Sequence, residues 1–115
     1  MDDKLRAYTY MWEFHVKRGS EKQFEGTYGP NGEWVKLFQK GEGYLGTELH
    51  RDINATGRYV TTDYWKTQAA YNLFIKQWKS EFDALDKACE SMTEKETPLG
   101  SFQCYRSSTK AINKD

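Results

Sequence analysis

The periodicity of this chain switches between two values, and it does so twice. Residues 58–65, "RYVTTDYW", alternate in side-chain character. From 66 onward, "KTQAAYNLF" opens a stripe spaced by three and four: Tyr71, Phe74, Ile75, Trp78, Phe82, Leu85, Cys89 and Met92. Alternation places successive side chains on opposite faces of a strand, whereas spacing of three and four builds one face of a helix. The same switch occurs earlier. "YTYMWEFHVK" at 8–17 puts Tyr10, Trp12, Phe14 and Val16 on one face and Thr9, Met11, Glu13, His15 and Lys17 on the other. A helix then opens at Ser20, whose spacing to Gln23 is that of a capping box. Phe24 and Tyr28 lie four apart on it. "GPNG" at 29–32 interrupts it, because Pro30 suits a first helical turn better than an interior. Trp34, Leu37 and Phe38 mark a second helical piece that Gly41 ends.

The strands between these helices form a hairpin. "GYLGTELHRD" at 43–52 and residues 58–65 are joined by a turn around "INATG". If Asp52 pairs with Arg58, Leu49 lies opposite Thr61 and Thr47 opposite Asp63. One face then carries Leu45, Leu49, Thr61, Asp63 and Trp65, and the other Glu48, His50, Val60, Thr62 and Tyr64. A slip of one residue would exchange the two sets. Thr67 is placed to cap the following helix, whose stripe predicts about six turns with one buried face. "TPLGSFQCY" at 97–105 reads as a last strand, and Pro98, lacking a donor, points to a sheet edge. The order is β-α-β-β-α-β, the split-βαβ or ferredoxin-like α+β arrangement: a four-stranded antiparallel sheet with both helical segments on one face. We expect a single domain over residues 1–115, with its core at 8–105 and a polar, frayed tail at 106–115.

Aromatic residues make up 16% of the chain, and 17 basic residues balance 17 acidic ones. Rings therefore supply the apolar volume of a folded domain, and nothing in the charge balance suits a nucleic-acid or membrane partner. Cys89 and Cys104 lack metal or redox spacing and read as reduced thiols of a cytoplasmic protein. No run approaches the length of a membrane span. The sheet face without helices would expose Met11, Val60 and Tyr64 among polar groups. This predicts a homodimer through that face, with His15, Glu48, His50, Val60 and Tyr64 at the interface.

The segments "WEFHVKRGSEKQFEGTYGPNGEWVKLF", "GYLGTELHRD", "GRYVTTDYWKTQAAYNLF" and "LGSF", spanning roughly residues 8–103, resemble the antibiotic biosynthesis monooxygenase (ABM) family of dimeric α/β-barrel proteins. The most specific piece is the strand–Trp–helix junction "DYWKTQAAY". The resemblance implies a ferredoxin-like fold and a dimer. It also implies one of several activities: oxidation of phenols or quinols by molecular oxygen without metal or flavin, haem degradation, or neither. Trp65 matches the pocket Trp of both enzyme types. The axial His of the haem degraders would fall near Ile75 and Lys76, and their first-strand Asn has no counterpart in "YTYMWEF". The pocket Asn and Arg of the oxygenases have no placeable match either.

A cofactor-free oxygenase needs an apolar slot, a base and a donor to the developing oxyanion. For the catalytic pair the candidates are Trp65 and Asp63, the latter as base if burial raises its pKa. Trp12, Tyr28, Thr61, Tyr71 and Phe74 are the candidates for substrate binding, with Thr61 or Tyr28 as donor. Set against this, Trp65 reads equally as a core plug and Asp63 as a structural carboxylate. His15 belongs on the face away from the helices and His50 near the hairpin tip, so neither offers a metal site; no metal and no cofactor are expected. Three readings follow: a cofactor-independent monooxygenase acting on a small aromatic, phenolic or quinol-type molecule; a non-catalytic, stress-associated or ligand-binding dimer using the same pocket; and, third, a haem degrader.

Overall fold

A computed structural model describes residues 6–106. The elements are β1 (Arg6–Val16), α1 (Glu21–Tyr28), α2 (Glu33–Phe38), β2 (Tyr44–Arg51), β3 (Arg58–Trp65), α3 (Gln68–Gln77), α4 (Lys79–Cys89) and β4 (Thr93–Tyr105), with a 3-10 turn at Glu90–Met92. The strands form one antiparallel sheet in the order β2-β3-β1-β4. All four helices supply rings to the core on one face of it. This is the ferredoxin-like α+β fold expected from the two changes of period. The polar tail anticipated after Arg106 lies outside the described residues. Among the described residues, no helix is long and apolar enough to cross a membrane.

The hairpin adopts the anticipated register. Leu49 pairs with Thr61 and Thr47 with Asp63, and the Asp52 amide donates to the Arg58 carbonyl at 2.9 Å. One expectation fails here. Leu45 does not share the inner face with Leu49 but is 51% exposed. A bulge between Tyr44 and Gly46 inserts an extra residue, inverting side-chain parity beyond it. Gly46, at φ 151°, accommodates the distortion. Tyr44 consequently turns inward and packs edge-on against Trp65 at 5.2 Å.

The helix ends divide in the same way. Thr67, extended at φ −147° and ψ 161°, accepts from the Ala70 amide at 3.0 Å, a regular N-cap. Ser20 makes no side-chain cap bond, so the anticipated capping box is not formed. Glu21 reaches back instead and accepts from the Gly19 amide at 2.8 Å. The long stripe continues past Trp78, but the helix does not. Trp78 sits at φ −117° and ψ 28°, where α3 stops and α4 begins. Each piece keeps its apolar face toward the core, so a periodicity count does not see the break. β4 begins at Thr93, earlier than the sequence suggested, and it is an edge strand carrying Pro98. A register shift between Met11 and Trp12 leaves Leu99 as the extra residue.

The core is built of rings, and Trp65, Tyr59, Phe24 and Phe74 are its largest fully buried side chains. Phe24 stacks on Tyr28 at 4.2 Å, and Trp65 lies 5.1 Å from Phe74 and 5.9 Å from Phe38. Such pairs contribute about 0.5–1.5 kcal/mol each beyond the area they bury. Gly41 makes this packing possible. A Cβ there would lie 2.8 Å from the Phe74 ring and 2.9 Å from Trp65.

Candidate active site

Between the sheet and the helices lies a cavity of about 270 Å³, near the small end of ligand pockets. Its floor is the inner face of β1, which alternation gives to Tyr10, Trp12 and Phe14. The helical side adds Tyr28, Trp34 and Phe38 from α1 and α2, Tyr71 from α3 and Phe82 from α4. Polar side chains enter from three places: Thr47, Thr61 and Asp63 from the β2–β3 hairpin, Glu96 from β4, and Asp86, one turn beyond Phe82 on α4.

Of the residues singled out from sequence, Asp63, Trp12, Tyr28, Thr61 and Tyr71 converge on this cavity. Trp65 and Phe74 do not line it, which corrects their placement in a slot. They are 0% and 1% exposed and form the packed layer behind Tyr71 and Phe38. The reason is the close approach of Gly41, which lets the loop before β2 seal the Trp65 ring from that side.

Asp63 is the polar centre of the inner wall. It keeps some surface toward the cavity but is otherwise enclosed by protein, and burial pushes its pKa from 3.8 up to about 7. The opposing influence is one hydrogen bond, donated by the Thr47 hydroxyl to Asp63 Oδ1 at 2.8 Å. The Thr47 and Tyr44 hydroxyls are 2.6 Å apart. Since Thr47 has given its only proton to Asp63, Tyr44 must be the donor to Thr47. The two hydroxyls thus form a directed chain that ends on the carboxylate. Burial, with Tyr10, Tyr8 and Asp63 nearby, raises the Tyr71 pKa well above the ordinary phenol range, and burial also raises that of Tyr28. Both remain neutral hydrogen-bond donors.

At the β4 side, Glu96 accepts from the Thr93 hydroxyl at 2.9 Å. Burial, then Asp86 and Glu90, raise its pKa. Asp86 is raised by burial, Glu90 and Asp83.

His15 lies on the uncovered sheet face, 3.2 Å from Glu13, and His50 lies 3.9 Å from Glu48 on the same face. Val60 and Tyr64 are on that face too, with the Tyr64 hydroxyl donating to Glu48 at 2.8 Å. Arg58 binds Glu13 at 2.6 Å and Asp52 at 2.9 Å. Among the described residues, no three His, Cys, Asp or Glu side chains gather as metal ligands would.

Several lining residues were missed from sequence. Tyr10 and Phe14 share the parity of Trp12, and Thr47 follows from its pairing with Asp63, so these were within reach. Trp34, Phe38, Phe82 and Asp86 depend on how the helices splay, and Glu96 on a strand that starts earlier than its alternation shows.

The sequence model of the antibiotic biosynthesis monooxygenase family matches residues 7–77. No curated protein matches the chain. Among solved structures, a variant of SnoaB, a cofactor-independent oxygenase from Streptomyces nogalater, superposes with a TM-score of 0.73 at 19% identity, covering 88% of this chain and 95% of that one. PA3566 from Pseudomonas aeruginosa gives 0.59 at 16% identity, covering 89% and 95%. Another structure, described as an antibiotic biosynthesis monooxygenase, gives 0.57 at 13%, covering 88% and 99%. At these identities the structural likeness establishes the shared fold.

Proposed function

The chain belongs to the antibiotic biosynthesis monooxygenase family, and we propose that it is a cofactor-independent monooxygenase of small aromatic, phenolic or quinol-type molecules, with Asp63 as its base. The observation that carries this reading is a carboxylate titrating at about 7 on the wall of an aromatic-lined cavity. A base of that pKa is half ionised at neutral pH and strong enough to take a proton from an acidified C–H or O–H.

The chemistry balances without a further reductant. Asp63 takes a proton from an activated methylene, as in an anthrone, or from the phenol of a hydroquinone-like ring. The resulting carbanion gives one electron to oxygen, and the radical pair closes a C–O bond to form a peroxide. Asp63 returns its proton to the distal oxygen. Loss of the C–H proton that remains on the oxygenated carbon, with cleavage of the O–O bond, leaves a carbonyl and releases water. That carbon is oxidised, both oxygen atoms are accounted for, and the base is regenerated. Tyr71, Tyr28 and Thr61 face the cavity as neutral donors for the oxyanion. Trp12 on the floor and Phe82 on the helical side bound the space for an aromatic substrate. Trp65 acts at one remove, by fixing Tyr71, 5.8 Å away.

The test is oxygen consumption by the purified protein against anthrones, naphthols and hydroquinones. Uptake should depend on the protein and fall at least a hundredfold in Asp63→Asn. Saturable quenching of tryptophan fluorescence by the same compounds, without uptake, would make the chain a binding protein instead. The haem-degrading reading has little support, since Ile75 packs against the core and Lys76 is exposed, and neither offers an imidazole.

The same proposal takes the uncovered sheet face as the surface for a second copy of the chain. It carries His15, Glu48, His50, Val60 and Tyr64 together with Phe102, which is 45% exposed. Sedimentation equilibrium should give twice 13.5 kDa, and Val60→Arg should shift it toward the monomer.

A further inference from the structure

The cavity has two chemically different ends, and the β1 register separates them. Asp63 pairs with Tyr10 on one side of β1, and Glu96 pairs with Phe14 on the other. Four residues along a strand span about 13 Å, and the two intervening strand spacings about 10 Å. Trp12 lies between them on the floor. The far end is lined by Glu96 from the sheet and by Asp86, an exposed residue of α4. Among the described residues that line the cavity there is no Lys, Arg or His; every charge on its wall is a carboxylate. None of the three makes an ion pair with a described residue.

Resting on the monooxygenase reading of this site, we propose that Glu96 and Asp86 are specificity-determining residues that select an elongated aromatic carrying a protonated amine at the end remote from the reacting ring, and that they reject carboxylated aromatics. An ammonium group donates to Asp86 and to the Glu96 oxygen that Thr93 does not bind, and it offsets the repulsion between the two carboxylates. A carboxylate at the same place would meet two like charges with no cation to offset them. Glu96 is held by Thr93 at 2.9 Å, so one of its oxygens is fixed while the group remains at the wall. Asp86, an exposed residue one turn from Phe82 on the cavity side of α4, supplies the second acceptor from the helix layer. The ring system between the two ends lies on Trp12 and under Phe82, and its reacting carbon reaches Asp63.

Three 2-naphthols that differ only in a distal aminomethyl, hydroxymethyl or carboxylate group separate this proposal from the reaction itself. Binding is read from tryptophan fluorescence at pH 8 under nitrogen, so that no turnover is needed. The amine should bind about tenfold more tightly than the alcohol, and the carboxylate about tenfold more weakly, the scale of one charge-assisted hydrogen bond gained or one repulsion incurred. Glu96→Gln combined with Asp86→Asn should bring the three affinities within about twofold of one another. The single Asp86→Asn change, at an exposed position, gives the same direction if the double variant does not fold. Asp63→Asn should keep the order of affinities while abolishing oxygen uptake. Equal affinities in the unaltered protein, or an unchanged order in the double variant, would overturn the proposal even if uptake were observed. The predicted order without uptake would uphold it as the selectivity of a binding site and overturn the monooxygenase reading.

Discussion

Replacing Asp63 by Asn should stabilise the protein by an amount that grows as the pH rises from 3.8 to about 7 and stays constant above that. In the fold this group titrates at about 7, against 3.8 for an unperturbed Asp, because burial disfavours its charged form. The native state therefore holds its proton more tightly than the unfolded chain does. By linkage, its contribution is fully present below pH 3.8 and is lost as the pH rises through 7. Ionising a carboxyl so displaced costs about 4 kcal/mol. The group keeps some surface toward the cavity, where water screens it, so about 2–4 kcal/mol is the range to expect. That is a large part of the roughly 5–15 kcal/mol that usually separates folded from unfolded. The amide in the Asp63→Asn variant would retain an oxygen to accept from Thr47 and would never ionise. Guanidinium unfolding of both proteins at pH 4, 5.5, 7 and 8.5 isolates the effect, since Asp86 and Glu96 titrate in both and cancel. The variant should gain on the parent by about 2–4 kcal/mol between pH 4 and 8.5. Two curves that run parallel across that interval would mean that Asp63 ionises in the fold without penalty, and the case for a perturbed base would be lost.

Two other perturbations probe the neighbours of that group. Thr47→Val removes the one hydrogen bond that favours ionised Asp63. A bond to a charged acceptor is worth about 1.5–3 kcal/mol, so the inflection in the pH dependence of oxygen uptake should rise by about one to two pH units, with a loss of about 5–50-fold at pH 7 that is recovered in alkali. An inflection that stays in place would show that the hydroxyl does not serve the ionised form; carboxyl carbon chemical shifts give the same titration without turnover. Gly41→Ala drives a methyl to within 2.9 Å of Phe74 and Trp65 and should lower stability by about 1–3 kcal/mol. Gly26→Ala, inside α1 with nothing within 4 Å of the new carbon, should raise it by about 0.5–1 kcal/mol. Guanidinium midpoints that move together in the two variants would refute the close approach at Gly41.

What could be read in the sequence was whatever depends on neighbours along the chain or across one turn. The pairing of Asp52 with Arg58 sets the hairpin register, and with it the shared inner face of Thr47, Thr61 and Asp63. The cap at Thr67 is local and so was visible. Leu45 was misplaced because a bulge adds one residue without altering the apparent alternation around it. Ser20 departs from expectation because its spacing to Gln23 does not orient its hydroxyl: it makes no cap bond, and Glu21 accepts instead from the Gly19 amide, one residue before the cap. Trp65 shows where local reasoning stops. Its inward direction follows from parity, but whether its ring meets a ligand or a wall depends on the loop at Gly41, remote in sequence and without a side chain to advertise the contact.

The inner face of the hairpin breaks the rule that governs the rest of the core. Around it the chain spends large rings on burial, with Phe24, Tyr59, Trp65 and Phe74 almost wholly enclosed. Yet at positions 47, 61 and 63 it turns Thr, Thr and Asp inward, where Val or Leu would bury more apolar area and leave no carboxyl to desolvate. A packing defect would leave such groups unsatisfied. Here Tyr44 donates to Thr47, and Thr47 donates to Asp63, so the polar strip is internally ordered and ends on the one group that remains costly to ionise. Order of that kind, at a standing loss of stability above neutral pH, is expected where a side chain is kept for its chemistry rather than for its packing. The unfolding experiment on Asp63→Asn therefore also bears on function. A stabilised variant without oxygen uptake would show that the fold gives up stability at residue 63 to keep a base on the wall of an aromatic cavity.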